Sequence, residues 1–254
     1  MVRVSWRSAL LLSVAAVMCL LAFCWPLLWR PGAGVSGDGH TPLVFALLLP
    51  VVIALVMTEL SNDDLDVKAI AMLGVLSAVG AAVRPLGAGT AGIELVFLLI
   101  ILAGRVFGPG FGFILGNSTL LASALITAGM GPWLPFQMIA AGFVGLGAGL
   151  LPHLRGRWEI ALLAGYGFVS GFGYGWLMDL AFWPFNLGNA AELSFDPTAS
   201  LATNLHHFVL FNLATSMGWN AARSVTNAVL VVLLGPALLR ILRRAARRAA
   251  FADA

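Results

Sequence analysis

Residues 111–151 read FGFILGNSTLLASALITAGMGPWLPFQMIAAGFVGLGAGLL. Two apolar runs, 111–128 and 133–151, flank the turn Gly129-Met130-Gly131-Pro132. Each run is close to the roughly 20 residues an α-helix needs to cross about 30 Å of hydrocarbon. The runs are continuous, whereas the strands of a transmembrane barrel would alternate apolar and polar residues. Outward from this pair the pattern repeats. Toward the C-terminus lie 158–182 and 219–242; toward the N-terminus lie 93–106, 69–83, 42–60 and 8–28. The expectation is an all-α, polytopic membrane helical bundle of about eight transmembrane helices.

Composition agrees. Of 254 residues, 60% are hydrophobic and 10% charged, and mean hydropathy is +0.96. A soluble domain carries about 25% charged residues, so this surface is built for lipid. A soluble enzyme, a disulfide scaffold and a disordered chain are excluded. The balance of 14 basic against 11 acidic residues gives +3 and a pI near 9.4. Nucleic acid is not the implied partner, because Arg240, Arg243, Arg244, Arg247 and Arg248 crowd behind the last span. Such a cluster anchors the cytoplasmic end of a helix among lipid headgroups. With both termini cytoplasmic, eleven of the fourteen basic residues fall inside, as membrane topology favours. Run 8–28 is too long for the apolar region of a signal peptide and reads as a retained span. Its Cys19 and Cys24 behave as small apolar residues. Pro50 should kink the second span. The acidic stretch 61–68 separates two N-terminal helices from the rest. Three parts result: 1–67, a module at 68–248, and a short tail at 249–254.

No Walker A, HExxH or GxSxG motif occurs, no metal site is expected and no catalytic residue is assigned. His206 and His207 would diverge around a helix. They fall in an amphipathic segment, 204–217, read as interfacial or continuous with the last span. Gly142, Gly145, Gly147 and Gly149, then Gly165, Gly167, Gly171, Gly173 and Gly175, read as packing glycines. Gly74, Ala78 and Ala82 recur every fourth residue and line one helix face with small side chains. That face either packs internally or docks a separate membrane subunit.

Ionisable side chains at membrane depth are the strongest functional signal. Glu94, Asp179 and Arg223 are such residues, and Arg84 stands near a span end. The topology puts all four in the outer half of the membrane, with the turn ending at Trp133 and the stretch containing Trp183, Asn186 and Asn189. Asn220, Arg223 and Asn227 share one helix face beside Trp219. These groups form either a buried Arg–acid pair that fixes helix register or an outward-facing pocket for a polar small molecule. In the pocket, Arg223 would meet a carboxylate or phosphate and the tryptophans would stack on a ring.

Two motifs carry a family resemblance. Gly104-Arg105-Val106-Phe107-Gly108-Pro109-Gly110-Phe111-Gly112 is one; Gly131-Pro132-Trp133-Leu134-Pro135-Phe136-Gln137-Met138 is the more specific. Over about 68–244 the chain resembles the substrate-binding membrane subunits (S components) of energy-coupling-factor vitamin transporters. The resemblance implies a six-helix module, here preceded by two added helices. It implies capture of a water-soluble vitamin or precursor on the outer face of the plasma membrane. This chain would carry no cofactor; ATP would be used by two cytoplasmic ATPase subunits acting through a transmembrane coupling subunit. Gly74, Ala78 and Ala82 match the face that meets the coupling subunit. The pocket regions map onto 84–92, 131–137 with Gln137, Asn186, and 219–227. Two rival classes are an intramembrane enzyme using Glu94, Asp179 or the histidine pair, and a scaffold subunit that only assembles partners.

Overall fold

The computed structural model describes residues 67–87, 90–131, 133–183, 193–196 and 198–251, with positions 17, 20, 23 and 24. The expected spans 8–28 and 42–60 otherwise lie outside the described residues, as does the acidic boundary before residue 67.

The described chain is helical, with no strand among the described residues. Helix α1 (Val67–Val83) ends in a 3-10 turn (Arg84–Gly87). There follow α2 (Val96–Phe107), α3 (Pro109–Ile126), α4 (Leu134–Leu150), α5 (Arg157–Phe182), α6 (Leu201–Phe211), a π-helical turn (Asn212–Ser216) and α7 (Met217–Phe251). Four helical segments are long and apolar enough to cross a membrane: Val67–Gly87, Pro109–Ile126, Arg157–Phe182 and Leu201–Arg247. Helices α2 and α4 are apolar but shorter. At 12 residues, α2 spans about 18 Å, well below the hydrocarbon thickness.

The structure changes or narrows three points of the sequence reading. Gly108-Pro109-Gly110 was expected as a turn, yet Gly108 alone reverses the chain. Its φ of 107° is open to glycine, and Pro109 starts α3 at a position where a missing N–H costs nothing. For segment 204–217 the second of its two readings, continuity with the last span, is the one observed. Helix α6, the π turn and α7 form one continuous helical stretch, Leu201–Arg247, of 47 residues. At about 70 Å it exceeds the bilayer core by a wide margin. Finally, Gly165 and Gly173 are not packing glycines, since a Cβ on either would meet nothing.

The remaining glycines of both groups are where helices touch. A Cβ at Gly104 or Gly112 would fall on the Gly145 carbonyl, and one at Gly149 would strike Pro109. These contacts draw α2, α3 and α4 together, and α3 against α4 is the largest interface in the bundle. A second seam joins α5 to α7. Gly167, Gly171 and Gly175, four apart, face Asn227, Ser224 and Asn220. Lipid gives no hydrophobic drive to helix association, so close backbone approach and dispersion supply the attraction. Phe97, Ile100, Ile101, Leu115, Leu134 and Met138 fill the buried centre.

Helix α1 joins through its other face. Ser77 and Ser118 share a 2.7 Å hydrogen bond, and a Cβ at Gly80 would meet Thr119. Gly74, Ala78 and Ala82 point away from these contacts and are exposed, so this face packs against none of the described helices.

Successive helices alternate in direction, so one end of the bundle gathers the C-terminal ends of α1, α3 and α5 with the N-terminal ends of α2, α4 and α7. The opposite end is tied by charge. Arg105 Nε donates to Glu159 Oε1 at 2.8 Å and its Nη1 to the Leu151 carbonyl at 2.9 Å. Arg243 of α7 donates to the same Glu159 oxygen. The Arg105 and Glu159 side chains are only 2% and 4% exposed.

Candidate functional site

A cavity of about 480 Å³ opens at the first end of the bundle. Small-molecule sites range over about 300–1,000 Å³. Six helix ends supply its walls, and the loop before α2 is held against one of them. Ala91 and Gly92 take left-handed backbone, with φ 48° and 94°. A Cβ at Gly92 would overlap the Trp219 carbonyl, so only glycine lets this loop sit against α7. Thr90 steadies the turn, its N–H donating to Gly87 O at 3.3 Å while its own carbonyl accepts from Ile93 N–H at 3.1 Å. Glu94 is thereby placed opposite Arg223.

Arg223 makes three side-chain hydrogen bonds and is charge-paired. Its Nε and Nη2 donate to Glu94 Oε1 at 2.9 and 2.7 Å, and its Nη1 donates to Asn220 Oδ1 at 2.9 Å. Its guanidinium carbon lies 5.0 Å from the Tyr174 ring centroid, a cation–π contact. Tyr174 is itself set edge-on against Phe97 at 4.8 Å. The Arg223 and Glu94 side chains are 10% and 30% exposed, so the pair borders the cavity.

Arg84 differs. Its Nη2 donates to Gln137 Oε1 at 3.0 Å and its Nη1 to Ser123 Oγ at 3.4 Å. Both acceptors are neutral, and no carboxylate pairs with Arg84 among the described residues. Asp179 is the mirror case. Ser216 Oγ donates to its Oδ1 at 3.0 Å and Asn212 Nδ2 to its Oδ2. These two residues are the ends of the π turn, so one carboxylate clasps the turn that links α6 to α7. Wider turns of this kind recur at functional sites.

Of the residues expected from sequence, Arg84, Glu94, Gln137, Asp179, Trp219, Asn220 and Arg223 all line this cavity. Trp133 does not; it is 45% exposed, with its ring over Gly131. Nor does Asn227, which lies buried in the α5–α7 seam and donates to the Gly167 carbonyl at 3.1 Å. Asn186 lies outside the described residues. Sequence reasoning missed Ser123, Thr127, Tyr174, Met178 and Ser216. Three of these carried a legible signal. Tyr174 and Met178 share the helix face of Gly175 and Asp179, and Ser216 precedes Asn220 and Arg223 by four and seven residues.

Beside the site, a polar loop starts α6. Ser200 caps it by accepting from Thr203 N–H at 3.1 Å, and Asn204 exchanges two hydrogen bonds with the Asp196 backbone. The Thr198 hydroxyl and N–H hold the Asp196 carboxyl below its usual range. His207 Nδ1 lies 3.0 Å from the Ser194 carbonyl. Among the described residues, no three His, Cys, Asp or Glu side chains converge as a metal site would require.

Comparison with family models, with curated proteins and with solved structures gives no match.

Proposed function

We propose that this chain is the substrate-binding membrane subunit of an energy-coupling-factor transporter, capturing a vitamin or related micronutrient for uptake across the cell membrane. In this reading eight helices span the membrane, both termini are cytoplasmic, and the cavity faces outward. One observation carries it: seven side chains marked as candidates from sequence converge on one cavity, at the end of the bundle opposite the basic C-terminal helix. The cavity size suits a pantothenate-sized molecule better than a cobalamin-sized one. The exposed Gly74-Ala78-Ala82 face supports a second surface for a coupling subunit, since small side chains let another helix approach closely. ATP hydrolysis then belongs to two separate ATPase subunits.

The test is uptake into lipid vesicles holding this chain, a coupling subunit and the two ATPases. Ala78→Leu should abolish ATP-dependent uptake while ligand still binds. Arg84→Gln should weaken ligand binding itself. An intramembrane enzyme would instead show an activity lost in Asp179→Asn with no ligand retained. A pure scaffold would lose its complex in Ala78→Leu and be indifferent to Arg84→Gln.

A further inference from the structure

The charges of the cavity are not equivalent. Arg223 and Glu94 neutralise each other through two hydrogen bonds, Asn220 takes a third, and the Tyr174 ring faces the guanidinium. Arg223 is therefore not the group that reads an incoming anion, although the sequence gives it that part. Among the described residues, Arg84 lines the same cavity as a cation whose side-chain partners are Gln137 and Ser123. An arginine stays protonated at any physiological pH. Two neutral acceptors leave part of its donor fork unfilled. That fork matches a carboxylate in geometry and charge.

Asp179 lines the cavity as a carboxylate whose direct hydrogen bonds come from the neutral donors Asn212 and Ser216, with Asn220 and the Arg223 guanidinium close by. An acceptor-only group with spare lone pairs calls for N–H or O–H donors. The same cavity is also lined by Met178, Pro85 and the half-exposed Trp219, which fit an aliphatic or ring body. We infer that the ligand is a small organic acid that also carries hydrogen-bond donors, its carboxylate seated on Arg84 and its donors on Asp179. This rests on the proposed binding role of the same cavity and narrows its ligand from any micronutrient to one charge type.

The experiment is equilibrium binding to the full chain in lipid nanodiscs, with radiolabelled probes of three kinds. Pantothenate and biotin are acids with donors, thiamine is a cation, and riboflavin and pyridoxine carry no acid. The expected result is saturable binding of an acid only. Arg84→Gln should weaken it by about 30-fold or more, as loss of one partner of a buried charge pair does, and Arg84→Lys should recover part of that loss. Asp179→Asn should weaken the same acid, and by less. An unchanged elution profile would show that each variant is folded; Ser123→Ala, which keeps the charge, serves as a second probe of the Arg84 position. Saturable binding of thiamine, riboflavin or pyridoxine that Arg84→Gln leaves unchanged would overturn this inference and leave the micronutrient-binding role standing. Binding of no probe of any kind would count against both.

Discussion

Two arginine–glutamate pairs stand at opposite ends of one bundle, and they are built for different ends. Arg105 and Glu159 are nearly sealed from solvent, at 2% and 4% side-chain exposure, and Arg243 and the Leu151 carbonyl complete their hydrogen bonding. Arg223 and Glu94 are 10% and 30% exposed and border a cavity of about 480 Å³. The first pair ties α2, α5, α7 and the end of α4. The second holds a wall in shape while Arg84 and Asp179, beside it, keep unspent hydrogen-bonding capacity. In the proposed binding role the ion pair shapes the wall, and the groups that would meet a ligand are the neighbours whose direct hydrogen bonds go to neutral partners.

This contrast can be broken at several points. The largest effect should come from Glu159→Gln, which leaves Arg105 as a buried cation without its partner. A loss of about 3–5 kcal/mol is expected, measured by unfolding in mixed micelles, with ligand affinity unchanged in the protein that stays folded. Gly175→Ala comes next. Its new Cβ would fall on the Asn220 side chain and within 2.9 Å of Arg223 Nη1. Overpacking should cost about 1–3 kcal/mol, and the displaced guanidinium should show in calorimetry as weaker ligand binding. At the open end, Glu94→Gln should cost about 1 kcal/mol or less, since solvent screens a partly exposed pair. A loss as large as that of Glu159→Gln would erase the distinction between the two ends. The smallest effect belongs to Ala78→Leu, within about 0.5 kcal/mol, because the side chain faces away from the bundle. A large destabilisation there would show that the small-residue face is covered within this chain.

Much of the architecture was legible because lipid punishes exceptions. Continuous apolar runs located α1 to α5 to within a few residues, and Glu94, Asp179 and Arg223 stood out as charges where charges are costly. Chain reversal at Gly108 was read as a longer turn because Gly-Pro-Gly marks a turn without fixing its length. The continuous helix Leu201–Arg247 was ambiguous because His206, His207 and Asn212 interrupt its apolar pattern. Asn212 is spent on Asp179, a partner 33 residues away. Glu159 gave no sign of its role, since Arg105 and Arg243 lie 54 and 84 residues from it in sequence. Arg84 was named but ranked behind Arg223. Only the hydrogen-bond partners separate an arginine already neutralised from one that is not.

The most direct measurement is mass spectrometry of small molecules released on denaturing the gently purified full chain, run beside Arg84→Gln and Arg240→Gln, the latter a change in the exposed basic helix. Close to one molecule of a single acidic compound per chain is expected from the wild type and from Arg240→Gln, and far less from Arg84→Gln. Equal release from all three proteins, or release of nothing from any of them, would contradict the acid-binding role.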